Sequence, residues 1–172
     1  MKNDTLSICF DESSHTTTIN LFQGTLVTDA MALPLSFFLY EPQDAWADDA
    51  RSCLQSLADV LPDHVEIIIL ADRIHAGKPF ITCIEALGWN YSIRVPKIPI
   101  LKQKKAWMQV FDRHPRCYPT RRWEAVKIWK TNAIHSTIVI HRHEQDGYTT
   151  VVWYVITNLP PTEHCCVIYA CR

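Results

Sequence analysis

Glycine is scarce in this sequence, four residues in 172. That leaves no material for flexible linkers, and no internal repeat or low-complexity tract takes their place. Long apolar runs are lacking too: nothing approaches the roughly 18 consecutive apolar residues of a membrane-spanning helix. The opening residues, MKNDTLSICFDESSH, carry no basic start followed by an apolar core, so no secretory leader is expected. The seven cysteines are scattered and odd in number. Without a leader they read as reduced cytoplasmic thiols, not as a disulfide framework. His141-Arg142-His143, His164-Cys165-Cys166 and Cys171 are ligand types, but they lack the two well-spaced pairs of a structural zinc site. Strand-borne histidine and buried cysteine explain them better. Strong charge of one sign is also missing. The net charge is -1, with 48% hydrophobic and 20% charged residues, which excludes disorder and is ordinary globular composition. The length suits one domain with a sizeable core.

Extended segments come first. Leu6 to Phe10 alternates apolar and small residues and ends at Asp11. Thr17 to Val27 and Leu33 to Tyr40 are rich in Thr, Ile, Leu, Phe and Val, with Thr28-Asp29-Ala30 as the turn between them. Together they predict an antiparallel meander of three strands. Asp44 then suits a helix N-cap. Trp46, Ala50, Cys53, Leu54, Leu57 and Leu61 follow at helical spacing up to Pro62. Val65 to Leu70 is almost wholly apolar and β-branched, which predicts a strand covered on both faces, ending at Ala71-Asp72-Arg73. A helix is expected over Pro79 to Leu87 with Gly88 as its stop, then a strand from Trp89 to Val95. The order suggests an α/β fold with a mixed sheet. An RNase H-like fold has it, as do other α/β arrangements.

Composition shifts after Arg94. Lys97, Lys102, Lys104, Lys105, Arg113, Arg116, Arg121, Arg122, Lys127 and Lys130 are opposed only by Asp112 and Glu124, with Trp107, Trp123 and Trp129 interleaved. Strand-like segments follow at Ser136–Ile140 and Thr149–Ile156, joined through Gln145-Asp146-Gly147, a good hairpin turn. Residues 96–161 therefore read as a β-rich insertion with a basic surface. Such a surface is commonly just solvated, with aromatics in the core. In a nucleic-acid enzyme it would hold phosphate backbone without reading sequence.

Asp11 and Asp72 each end an apolar strand. If those strands are adjacent and parallel, the carboxylates converge as hard oxygen ligands suited to Mg²⁺ or Mn²⁺. A pair of such ions can serve phosphodiester chemistry. Aspartates after strands also serve as plain caps and turns.

The residues around them carry a resemblance. Ala71-Asp72-Arg73-Ile74-His75-Ala76-Gly77-Lys78-Pro79-Phe80, then Ala86-Leu87-Gly88-Trp89-Asn90-Tyr91-Ser92-Ile93-Arg94, resembles the second-aspartate region of bacterial insertion-sequence transposases of the Asp-Asp-Glu type. Phe10-Asp11-Glu12-Ser13-Ser14 is similar to that family's first-aspartate strand, and Ala32-Leu33-Pro34-Leu35 to its third strand. Trp153 to Pro160 is similar to the strand leading out of its β-rich insertion. The family signature is Tyr, two residues, Arg, three residues, Glu, six residues, Lys. Tyr169 and Arg172 fit its first spacing, and the sequence ends there.

The resemblance implies an RNase H-like core over residues 1–95, the insertion over 96–161, and a return to the core at 162–172, with the C-terminal part of the core missing. It implies Asp11 and Asp72 as catalytic metal ligands for Mg²⁺ or Mn²⁺. Tyr169 and Arg172 would contact phosphate near the scissile bond, since an arginine fork grips phosphate bidentately. Arg73, Arg94, Arg121 and Arg122 are the further expected DNA contacts. The implied activity is metal-dependent cleavage and strand transfer at transposon ends. The implied partners are DNA and a second subunit, either another copy or a full-length transposase. A bacterial cytoplasmic, nucleoid-associated location goes with it, with no membrane partner.

Two features depart from the family. The first-aspartate strand begins near residue 6, where a DNA-binding region usually precedes it, and the turn Thr28-Asp29-Ala30 is not basic. A clipped or split gene copy, inactive alone, is the expectation. The alternative is a non-catalytic remnant that binds DNA or interferes with full-length subunits. A nuclease with an unusual ligand set ranks below both. Glu12 would point away from Asp11, Glu85 fits a surface helix position, and Glu144 and Glu163 fall in expected loops, so none is expected to complete the site.

Overall fold

The computed structural model describes residues 5–14, 19–28, 31–41, 46–95, 100–103, 106–109, 120–131, 133–145 and 149–159. The fold is mixed α/β, and the chain divides into two compact units, Met1–Tyr91 and Ser92–Arg172. The boundary falls shortly before the change in composition.

The first unit contains β1 (Thr5–Ser14), β2 (Asn20–Val27), β3 (Ala32–Tyr40), α1 (Trp46–Ala58), β4 (Glu66–Ala71), a 3₁₀ turn (Arg73–His75), α2 (Lys78–Ala86) and the first residues of β5 (Asn90–Arg94). The strand order is β3-β2-β1-β4. β1 is antiparallel to β2 and parallel to β4. β5 starts beside the start of β4, where the Asn90 side-chain amide donates to Glu66 Oε1 at 2.8 Å.

One sheet face gathers Ile8 and Phe10 from β1, Phe22 and Gly24 from β2, and Ile67, Ile69 and Ala71 from β4. Both helices cover it. Ala50, Cys53, Leu54 and Leu57 form the buried stripe of α1; Phe80, Ile81 and Ile84 form that of α2. Cys53 Sγ meets Ser36 Oγ on β3 at 3.0 Å, and the Phe80 ring packs edge-on against Phe10. Asp48 and Asp49 complement the dipole in the first turn of α1. Asp44, the expected N-cap, lies outside the described residues. The helix ends at Ala58, earlier than Pro62 suggested. Val60 and Leu61 both donate to the Leu57 carbonyl, which tightens the chain into a turn before the proline arrives.

Gly88 stops α2 in the expected way. Its φ is +72°, its N–H donates to Glu85 O, and Trp89 N–H donates to Ile84 O. These are the two reverse bonds of a Schellman cap, and they need a left-handed residue. A Cβ at Gly88 would meet nothing within 4 Å, so only the backbone penalty applies. Gly88→Ala is expected to cost about 1 kcal/mol, measured as a shift in the urea midpoint. An unchanged midpoint would show that the cap is not formed.

The second unit is antiparallel throughout. Its order is β5-β10-β9-β8-β6-β7, from β6 (Ile100–Gln103), β7 (Ala106–Gln109), β8 (Thr120–Ile128), β9 (Ile134–Gln145) and β10 (Thr149–Thr157). β9 and β10 pair from Thr149↔Gln145 to Thr157↔Thr137; Asp146 and Gly147, the expected turn, lie outside the described residues. Its core includes Ile93, Trp123, Val126, Ile128, Ile138, Ile140, Val155 and Ile156. Two buried polar side chains there are hydrogen-bonded: Ser136 Oγ donates to Thr157 O at 3.0 Å, and Leu159 N–H donates to Thr157 Oγ1 at 3.1 Å. The strands β6, β7 and β8 go beyond what the sequence reading located. Glu144 sits on β9 opposite Thr150, not in a loop.

Candidate active site

The register of β1 and β4 pairs Phe10 with Ala71, and both point to the helix-covered face. Asp72 is the first residue past the end of β4, whereas Asp11 lies within β1, which runs on to Ser14 paired with β2 and so does not end at the aspartate as its apolar run suggested. Each aspartate thus directly follows the last residue pair of two parallel neighbours whose axes lie about 4.8 Å apart. Asp11 is exposed and Asp72 half-buried. Asp11 Oδ1 accepts from Glu12 N–H at 3.0 Å, and Asp72 Oδ1 from Arg73 N–H at 2.7 Å. The second bond caps the 3₁₀ turn and fixes Asp72 where β4 ends.

Each carboxylate spends one oxygen on the amide that follows it, and among the described residues the other oxygen has no hydrogen bond. Carboxylates are hard oxygen donors, the ligand type that Mg²⁺ or Mn²⁺ takes. Among the described residues no group of three His, Cys, Asp or Glu side chains is placed to hold a metal. A cation held by this pair alone would keep most of its shell as water.

The other carboxylates lie elsewhere. Glu12 belongs to the opposite sheet face, where it hydrogen-bonds the Tyr40 hydroxyl. Burial first, and then that bond, push the phenol up to about 12, with a hydrogen bond from Asn20 working the other way. Glu85 is exposed on α2 and accepts from Tyr91 at 3.3 Å. Glu163, Tyr169 and Arg172 lie outside the described residues.

Of the expected DNA-contacting arginines, Arg73 is exposed next to Asp72. The other three belong to the second unit. Arg94 is half-buried on β5, opposite Val155. Arg121 is exposed, with its guanidinium 4.9 Å from the Trp123 ring centre, a cation–π contact. Arg122 is only 20% exposed; it donates to Leu159 O at 3.0 Å and pairs with Glu124 at 3.2 Å. Its fork is committed to the unit's own chain, which makes it first a structural residue.

His75 is the residue that sequence reasoning did not single out. It is 1% exposed, its N–H donates to Asp72 O at 3.0 Å, and its ring lies edge-on to Phe22 at 4.8 Å. Burial pushes the imidazole down to about 4, against the charge of Asp72, which favours the protonated form. A neutral aromatic-packed histidine thus underlies the turn that carries Asp72. Its only sequence signal is its place three residues after the aspartate, which does not foretell burial.

Among the described residues no helix is long and apolar enough to cross a membrane. No protein-family profile matches the sequence, and no curated protein matches it.

Proposed function

We propose that the first unit is the RNase H-like catalytic core of a DNA transposase of the Asp-Asp-Glu type, with the second unit as its β-rich insertion. The observation that carries this reading is that Asp11 and Asp72 each directly follow the last residue pair, Phe10↔Ala71, of the parallel neighbours β1 and β4. An antiparallel meander, two helices on one face and a β4 parallel to β1 are the surroundings that reading calls for. Asp11 and Asp72 would hold Mg²⁺ or Mn²⁺, which when bound supplies Lewis-acid activation for phosphodiester hydrolysis and strand transfer. Asp72 is oriented by its bond from Arg73 N–H, and the Arg73 side chain is available to a phosphate. Arg94 and Arg121 would contribute backbone contacts to transposon-end or target DNA.

Mn²⁺ titration by calorimetry or electron paramagnetic resonance tests the site. Asp11→Ala and Asp72→Ala are each expected to weaken Mn²⁺ binding at least tenfold, while Glu12→Gln leaves it within twofold. Equal binding by all four proteins would sink the assignment. The alternative, a DNA-binding remnant without catalysis, is favoured by the lack of a third converging ligand among the described residues. Salt-dependent DNA binding without Mg²⁺-dependent nicking would select it. Nicking abolished by Asp72→Ala would select the enzyme.

A further inference from the structure

We infer that the outer edge of β3 is a self-association surface, through which two copies of this chain pair antiparallel about Phe38. The inference does not depend on the catalytic reading. β3 ends the strand order of its sheet, so its outer backbone groups have no strand partner among the described residues. Exposed edges of this kind are normally blunted by charge, proline or a bulge. The N-terminal half of β3 has two such devices. Pro34 lacks an N–H, and the register shift at Gly24/Thr25 leaves Leu35 as an extra residue.

The C-terminal half, Ser36 to Tyr40, has neither device, and no charged residue occurs anywhere from Ala32 to Tyr40. Phe37 is 69% exposed and Leu39 60% exposed, both on the sheet face away from the helices. Antiparallel pairing of two copies about Phe38 sets Phe37 of one copy opposite Leu39 of the other, twice, on that same face. Aromatic–aliphatic cross-strand pairs of this kind stabilise antiparallel sheets. Ser36 then falls opposite Tyr40. The nearest charge, Glu41, falls opposite Leu35 and not opposite its own copy, so no like charges meet. This self-complementarity is what a two-fold, isologous contact requires, and it favours a second copy over an unrelated strand.

A single strand pair buries less than a standard interface, so the association is expected to depend on concentration. Sedimentation velocity of the full chain over a concentration series reads it directly. The expected result is a weight-average mass rising from one chain toward two, and staying at one chain for the Phe37→Lys/Leu39→Lys double variant. A chain that remains monomeric at every concentration overturns the inference, as does a variant that still dimerises or a wild type that passes beyond dimer. Hydrogen exchange on the unaltered protein covers a misfolded variant. Amides of Ser36–Tyr40 are expected to slow at least tenfold at the dimeric concentration, and unchanged exchange there overturns the pairing.

Discussion

Phe22→Ala is expected to destabilise the first unit by about 4 kcal/mol, the usual cost of removing a fully buried ring. Phe22 has no exposure and sits at the centre of an aromatic cluster. It stacks on Phe10 at 5.0 Å, tilts against Phe38 at 4.8 Å, and meets His75 and Phe80 edge-on at 4.8 and 6.1 Å. These partners come from β1, β3, the 3₁₀ turn and α2, so one side chain ties the sheet to its helical cover. Relaxation into the vacancy is limited on the strand side. The Phe10 ring already fills the space above Gly24, where a Cβ would come within 2.8 Å of Phe10 Cε1. Phe10 therefore has little freedom to slide. Since whole domains are stable by only about 5–15 kcal/mol, the variant should be close to unfolding at room temperature. Urea denaturation followed by circular dichroism, with hydrogen exchange on β1 and β2 peptides, measures the loss. A cost below about 1 kcal/mol, the scale of a surface change, would mean that these rings do not form a packed core.

Much of the first unit was legible in the sequence because its elements keep a clean period. The apolar run of β4 and the stripes of α1 and α2 each follow one rule from end to end, so each was located to within a few residues. The basic strands of the second unit were harder. In β8 the buried residues are Trp123, Val126 and Ile128, a spacing of three and then two. The break is a bulge between Trp123 and Val126, where Ala125 takes φ +47°. A bulge adds a residue and destroys the alternation that reveals a strand. The exposed arginines and lysines around it then read as surface without shape.

The candidate site divides along the same line. That Asp11 and Asp72 each follow an apolar run is local information, although β1 continues past Asp11 to Ser14. That those strands are parallel neighbours in the register Phe10↔Ala71 is not local, because Ile8 and Ile69 would pack as well one step out of register by composition alone. His75 was illegible for a related reason. Its burial is created by Phe22, a residue more than fifty positions earlier, which the meander brings over it.

That buried histidine should give the protein a measurable acid sensitivity. In the unfolded chain the imidazole takes up a proton near its ordinary value of 6.5; in the folded chain it does so only near 4, because burial opposes the charge. Between those two values the unfolded state binds more protons, so the free energy of unfolding rises with pH across the window. The contribution is fully present above pH 6.5 and is lost as the pH falls toward 4. A displacement of this size corresponds to about 3 kcal/mol at the acid end of the window. Carboxylates begin to protonate near the same limit, so the histidine must be isolated by difference. His75→Phe keeps an aromatic ring among Phe22 and Phe80 and removes the titration. Its larger ring changes the height of the stability curve, but only the proton changes the slope. Urea unfolding of both proteins from pH 4.5 to 7.5 is expected to show a wild-type curve that climbs with pH relative to the variant and runs parallel to it above 6.5. If the curves stay parallel throughout, His75 is not held neutral by burial, and the 3₁₀ turn beneath Asp72 is more open to water than its packing implies.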